Sequence, residues 1–216
     1  MAGARTALVL IDLRRWIVGM PWRPAGGDLV AAACARLRAH FADTGSPTVL
    51  VRYVRADGTD GGVDAANRFV PESAPRAGDH VVTRHGLDAF EDTDLHGILR
   101  REGITEVVIA GLSTAHAVAA TAATALRLGH EVVVVSDATA SVDDTQHREA
   151  LDRLTALGAR TARVAEPLPV GPHDGGLAPG AADAVSRPCR GARRRASPSP
   201  SSRGPAAPWS CPAGTP

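Results

Sequence analysis

Gly111 closes a run of four apolar residues, Val107 to Ala110, and the turn Leu112-Ser113-Thr114 leads into strong helix formers from Ala115 to Leu128. A buried strand that breaks at glycine and feeds a helix is how α/β proteins build a reactive elbow. Its free backbone N–H groups and the positive end of the helix dipole face the space above the sheet. A nucleophile would stand in the first helical turn, where this chain has Ala115, His116 and Ala117; the elbow holds no cysteine, and its hydroxyls are Ser113 and Thr114. The scaffold of a reactive site is present without its obvious reactive atom. Other apolar runs also end on polar residues: Asp12 after Leu8–Ile11, Arg84 after the run from His80, and Arg55 with Asp57 after the run from Thr48. A lone aspartate after a strand is as often a cap or turn residue as a catalytic group. Asp12, Arg84 and the elbow together form a constellation.

Those residues can meet only if the strands share a sheet. The pattern predicts strands at Ala7–Ile11, Thr48–Val54, His80–Thr83, Glu106–Ala110, Glu131–Ser136 and Thr161–Val164. The continuous runs Leu8–Ile11 and Val132–Val135 suit strands covered on both faces, as in a parallel sheet. Between them Leu29, Val30, Ala33, Cys34, Leu37 and Phe41 recur at helical spacing before Gly45. A short helix over Leu95–Arg101 ends at Gly103, the elbow helix ends at Gly129, and Asp143 or Asp144 caps a last helix over Thr145–Leu157. Strand–helix alternation of this kind implies an α/β, doubly wound, three-layer fold with right-handed crossovers. Ligands of such sheets bind beyond the C-terminal strand ends, where the strand order reverses. From Pro169 to Pro216 the chain turns to Pro, Gly, Ser, Ala and Arg, with Arg193-Arg194-Arg195 and no hydrophobic period. Residues 1–168 are therefore expected to form the domain and 169–216 a disordered, solvated tail.

Composition narrows the functions. A formal net charge of +1 gives no reason to expect nucleic acid or membrane partners. No apolar run reaches the roughly 18 residues of a membrane span, and the N-terminus has no signal-peptide pattern, so a cytoplasmic protein is expected. The three cysteines, Cys34, Cys189 and Cys211, are far apart and without metal-ligand spacing. No Gly-rich phosphate loop occurs, and no metal or cofactor is expected. All 24 basic residues are arginine, since the sequence contains no lysine.

Four segments in order and spacing, Ala7–Leu13, Val81–Leu95, Gly111–Ala122 and Val132–Ser141, resemble the isochorismatase-like hydrolases, and the resemblance spans roughly Arg5 to Val164. It implies a six-stranded parallel sheet of order 3-2-1-4-5-6 flanked by helices, with the crevice between strands one and four. Amidases of this family use an Asp–Lys–Cys triad. The resemblance places Asp12 at the aspartate, Arg84 at the lysine and Ala117 at the cysteine. True isochorismatases, which cleave a vinyl ether, keep the Asp and Lys and carry glycine at the cysteine position. The paired His–Asp metal motif of nicotinamidases is absent after strand two.

A methyl group cannot attack, so covalent chemistry at Ala117 is excluded. Cys34, on the apolar stripe of its helix, reads as a buried inert thiol. Vinyl-ether cleavage needs an acid to protonate the enol carbon and donors for carboxylates. Asp12 suits the acid, with a pKa expected to be lowered by the nearby arginine. Arg84, which stays protonated, suits an electrostatic clamp on an anionic small molecule. Substrate contacts are expected from Ser113, His116 and Ala117 at the elbow, from Arg55, which aligns with a substrate-contacting glutamine of isochorismatases, and from Trp16. Trp16 and Trp22 can wall a pocket or pack a core. His116 and His85 can act as acid or base, or pack and cap. Arg68 falls in a loop that covers the site in family members. The expected function is hydrolysis of a small carboxylated metabolite without a cysteine nucleophile. The alternative is a non-catalytic relative that binds small molecules or serves assembly. The resemblance also implies a homo-oligomer.

Overall fold

The computed structural model describes residues 5–54 and 65–168. Arg55, Asp57 and the expected tail, 169–216, lie outside the described residues. Six strands form one parallel sheet: β1 (Thr6–Ile11), β2 (Thr48–Tyr53), β3 (His80–Arg84), β4 (Glu106–Leu112), β5 (Glu131–Ala140) and β6 (Arg160–Ala162). Their order is β3-β2-β1-β4-β5-β6, as the family resemblance implied. The helices are α1 (Arg15–Val18), α2 (Gly27–Asp43), α3 (Leu95–Arg101), α4 (Ala119–Arg127) and α5 (Asp144–Ala156).

Alternation along the buried strands makes two cores. Leu8, Leu10, Leu50, Val108, Val133 and Val135 face one side and pack with Val30, Cys34, Leu37 and Phe41 of α2. Ala7, Val9, Ile11, Val49, Val51, Ile109 and Val134 face the other, against Leu95 and Leu99 of α3, Ala122 and Ala125 of α4 and Leu154 of α5. With helices on both faces, Ala7–Ile11 of β1, Val107–Ala110 of β4 and Val132–Val135 of β5 are apolar at every position, which is why these runs read as continuous rather than alternating. The last helix begins where Asp143 accepts a hydrogen bond from the Gln146 backbone at 2.7 Å, settling the cap in favour of Asp143.

Two elements differ from expectation. β5 extends to Ala140 because its pairing with β4 slips and then resumes: Ile109 pairs Val134, and Gly111 pairs Thr139. The irregularity sets Val135–Ala138 against Ala110 alone and includes Ser136 and Asp137, polar residues at which the apolar pattern stops; Asp137 accepts from the Val164 backbone at 2.8 Å. The elbow is not a plain α-helix start. Thr114–Val118 forms a π-helical turn that runs directly into α4. Such turns insert one residue into the helical ladder and are frequent at functional sites.

Candidate active site

β1 and β4 are central neighbours of opposite onward direction, so their C-terminal ends open the crevice. Gly111 makes this possible: at φ 115° it lies in the left-handed region, and a Cβ there would overlap the Ile11 backbone. The chain leaves β1 through Asp12, also left-handed at φ 55°. Aspartate tolerates that conformation better than most residues, and its use at a strand end beside a cleft marks a position held by its surroundings. The Asp12 backbone N–H donates to Val51 at 2.9 Å, tying the turn to β2.

On β3, Arg84 is in register with Tyr53 of β2, so one strand separates it from Asp12. The side chains bridge that gap. Arg84 Nη2 donates to Asp12 Oδ2 in an ion pair, while Nη1 donates to the Gly86 carbonyl. The Arg84 guanidinium also lies 5.0 Å from the centroid of the Tyr53 ring. Both ionic residues are buried, Asp12 at 2 % and Arg84 at 4 % exposure. A second cation stands near: Arg14 donates to the carbonyls of Tyr53 and Asn67, the latter at 2.8 Å, and fastens the segment before Val70 to the end of β2.

Burial pushes the Asp12 carboxyl above the usual carboxylate range, and Arg84, the Tyr53 backbone and Arg14 pull it back only in part. This corrects the expectation of a lowered pKa. The arginine acts in the expected direction, but removing the carboxylate from water is the larger effect. Arg84 itself is already paired with this carboxylate. Its charge is largely spent on Asp12, and Nε is the donor nitrogen without a partner among the described residues.

The elbow faces this pair across a cleft of about 330 Å³. Ser113, His116 and Ala117 line it, and Ser113 Oγ and His116 Nδ1 share a hydrogen bond of 2.8 Å. Behind them Thr114 Oγ1 meets His147 Nδ1 of α5 at 2.8 Å, and burial lowers the His147 pKa, which suits a neutral ring that holds the turn in place. Thr121 and Thr124 of α4 bind the Ala89 backbone at 3.1 Å and the Asp88 carboxylate at 2.6 Å, so the loop after Arg84 is docked on the elbow helix.

Trp16, Trp22 and Tyr53 form walls of the cleft, and Met20, Leu87 and Val142 expose apolar surface around it. The two indoles differ. Trp22 Nε1 donates to the Ile17 carbonyl at 2.6 Å, whereas Trp16 Nε1 is buried with no partner among the described residues. Asp12 Oδ1 is in the same condition. Three unsatisfied polar atoms, on Asp12, Arg84 and Trp16, thus belong to residues of one cleft. Buried polar groups are ordinarily paired, so this concentration fits a polar ligand.

Most of the site residues expected from sequence come together here: Asp12, Arg84, Trp16, Ser113, His116 and Ala117. Arg55 cannot be placed, because it lies outside the described residues. His85 does not join them; it is exposed, with Nδ1 2.7 Å from the Val54 carbonyl. Arg68 contributes its backbone carbonyl to Arg15 at 3.0 Å and is not among the cleft residues. Tyr53 was missed, although a signal existed: it is the single tyrosine of the chain, at the end of β2, in line with Arg84. Cys34 is fully buried, its Sγ 3.7 Å from the Ala138 carbonyl, and burial drives its thiol pKa far up. Among the described residues no group of three or more His, Cys, Asp or Glu side chains converges, and no helix is long and apolar enough to cross a membrane.

An Asp at the end of central β1, a basic residue at the end of β3 and an elbow after β4 surround a crevice at the switch point of a doubly wound α/β sheet. Known proteins agree. The isochorismatase domain model matches residues 6–166, and the chain belongs to that family. An uncharacterized isochorismatase family protein, YecD of Escherichia coli O157:H7, is 33% identical over 76% of this chain and 94% of its own length. A streptothricin hydrolase of Streptomyces noursei is 34% identical over 74% of this chain, which spans 58% of that relative. Among solved structures, an isochorismatase family protein from Burkholderia thailandensis superposes with a TM-score of 0.70 at 31% identity, over 76% of this chain and 96% of that one.

Proposed function

We propose that this protein hydrolyses a small carboxylated metabolite without a cysteine nucleophile, using Asp12 as the proton-transfer residue. The observation that carries the reading is the buried Asp12–Arg84 pair in the cleft, with Asp12 Oδ1 left without a partner among the described residues. A carboxyl raised above its ordinary range can hold a proton and deliver it from that oxygen. The enol carbon of a vinyl ether and the leaving atom of an acyl bond both need such a donor. Arg84 Nε and Trp16 Nε1 are buried donors suited to a substrate carboxylate or carbonyl oxygen. The backbone around Ala115–Ala117 adds the positive end of the elbow. Hydrolysis also fits the relatives, which include a streptothricin hydrolase and a maleamate amidohydrolase of Pseudomonas putida, the latter 34% identical over 62% of this chain.

The test is a mass-spectrometric screen of small carboxylated amides, esters and vinyl ethers with the wild type beside Asp12→Asn. Water-dependent cleavage by the wild type, lost in a folded Asp12→Asn, is the expected result. Ligand-induced thermal shifts in both proteins, with no turnover in either, would instead identify a binding protein.

A further inference from the structure

The elbow lacks a thiol at residue 117, but it does not lack a paired nucleophile. Ser113 Oγ and His116 Nδ1 are 2.8 Å apart, within the reach a base needs to take a hydroxyl proton. Both residues line the cleft that holds Asp12 and Arg84. Ser113 is buried and precedes the π-helical turn, while His116 is exposed on it. Trp16 and Arg84, which line the same cleft, each carry a buried donor without a partner among the described residues, Nε1 and Nε, of the kind that stabilises the negative charge of a tetrahedral intermediate. Capping explains this pair less well. Ser113 stands at the N-cap, yet its hydroxyl makes no bond to a backbone N–H of the turn and goes to the imidazole instead.

We propose that Ser113 and His116 form a nucleophilic dyad that attacks an acyl substrate in place of the missing thiol. The inference rests on the cleft being a hydrolytic site, and it narrows the bond to an ester or amide, since serine needs a carbonyl carbon. In the first step His116 Nδ1 takes the Ser113 proton, the Oγ–C bond forms, and the bond to the leaving nitrogen or oxygen breaks as protonated Asp12 gives that atom its proton. This leaves an acyl-serine, an imidazolium and the Asp12 carboxylate. In the second step Asp12 takes a proton from water, whose oxygen bonds to the acyl carbon. The C–Oγ bond then breaks, and His116 returns its proton to Oγ. The sum is substrate plus water giving acid plus amine or alcohol, with all three residues restored.

The experiment is labelling with phenylmethanesulfonyl fluoride, followed by intact mass and peptide mapping of the wild type, Ser113→Ala, His116→Gln and Asp12→Asn. The wild type should gain one sulfonyl group on Ser113 and Ser113→Ala none. His116→Gln should label about 10²-fold more slowly or worse, the usual contribution of a positioned base. Circular dichroism of each variant checks the fold. Absence of label on Ser113, or equal labelling rates in wild type and a folded His116→Gln, overturns the dyad. Asp12→Asn keeps the dyad and should still be labelled. Loss of turnover in Asp12→Asn together with an unlabelled wild-type Ser113 would remove the dyad and leave the hydrolytic reading standing.

Discussion

Replacing Arg84 with methionine should expose the energetics of the cleft most clearly. The substitution keeps most of the side-chain volume and removes the partner of a carboxyl that is 2 % exposed. Breaking a buried pair from one side costs about 3–5 kcal/mol at neutral pH, because the remaining charge must be protonated or left unpaired. The lost hydrogen bond to the Gly86 carbonyl and the lost contact with Tyr53 account for about 1–2 kcal/mol of this and do not depend on pH. The remainder does. Asp12 in the folded protein already sits above its ordinary value of 3.8, and losing Arg84 raises it further, since the two largest opposing influences both come from that residue. A carboxyl raised on folding contributes stability below its unfolded pKa, and that contribution is lost as pH rises through the folded pKa. The gap between variant and wild type should therefore be smallest near about pH 4 and widen as pH rises through the two folded values. Urea unfolding across that range measures it. A gap that stays constant with pH would refute the pairing.

Three other outcomes follow from the same geometry. Iodoacetamide should leave turnover intact, because Cys34 is fully buried with its thiol held protonated; inactivation cured by Cys34→Ala would place the chemistry elsewhere. The double change Arg84→Lys with Ala117→Cys restores the triad implied by the family resemblance and should raise the cleavage rate of an activated ester above that of wild type. A thiol at residue 117 that resists a disulfide reagent would show that this position does not face the cleft. Ending the chain at Leu168 should shift the melting temperature by no more than a degree or two, corresponding to about 0.5 kcal/mol or less, because the composition beyond it offers no apolar period to bury.

The sheet was legible because its central strands carry continuous apolar runs, such as Leu8–Ile11 and Val132–Val135, separated by helical patterns that end at glycine. Leu95–Arg101 was read to the residue, and the strand order followed from the resemblance. Asp12 and Arg84 were legible as polar ends of apolar runs. Which of their atoms meet was not legible, since strand-end position fixes proximity alone. The sign of the Asp12 shift was misjudged for a related reason. The sequence displays the neighbouring charge, whereas desolvation depends on burial, which only the packed structure reveals. The π-helical turn could not be read from Thr114–Val118, whose residues suit an ordinary helix start. Nor did the bulge in β5 announce itself beyond the polar pair Ser136-Asp137.

The pH dependence of kcat/KM, measured for the wild type beside Asp12→Asn, bears most directly on the claim that Asp12 moves the proton. The protonated carboxyl is the active donor, so activity should fall as pH rises through the Asp12 pKa, with an inflection above the usual carboxylate range. In Asp12→Asn that limb should vanish, and kcat/KM should drop by about 10²–10⁴-fold, the contribution expected of one acid–base residue. An Asp12→Asn protein that keeps both the rate and the pH profile of the wild type would contradict the account.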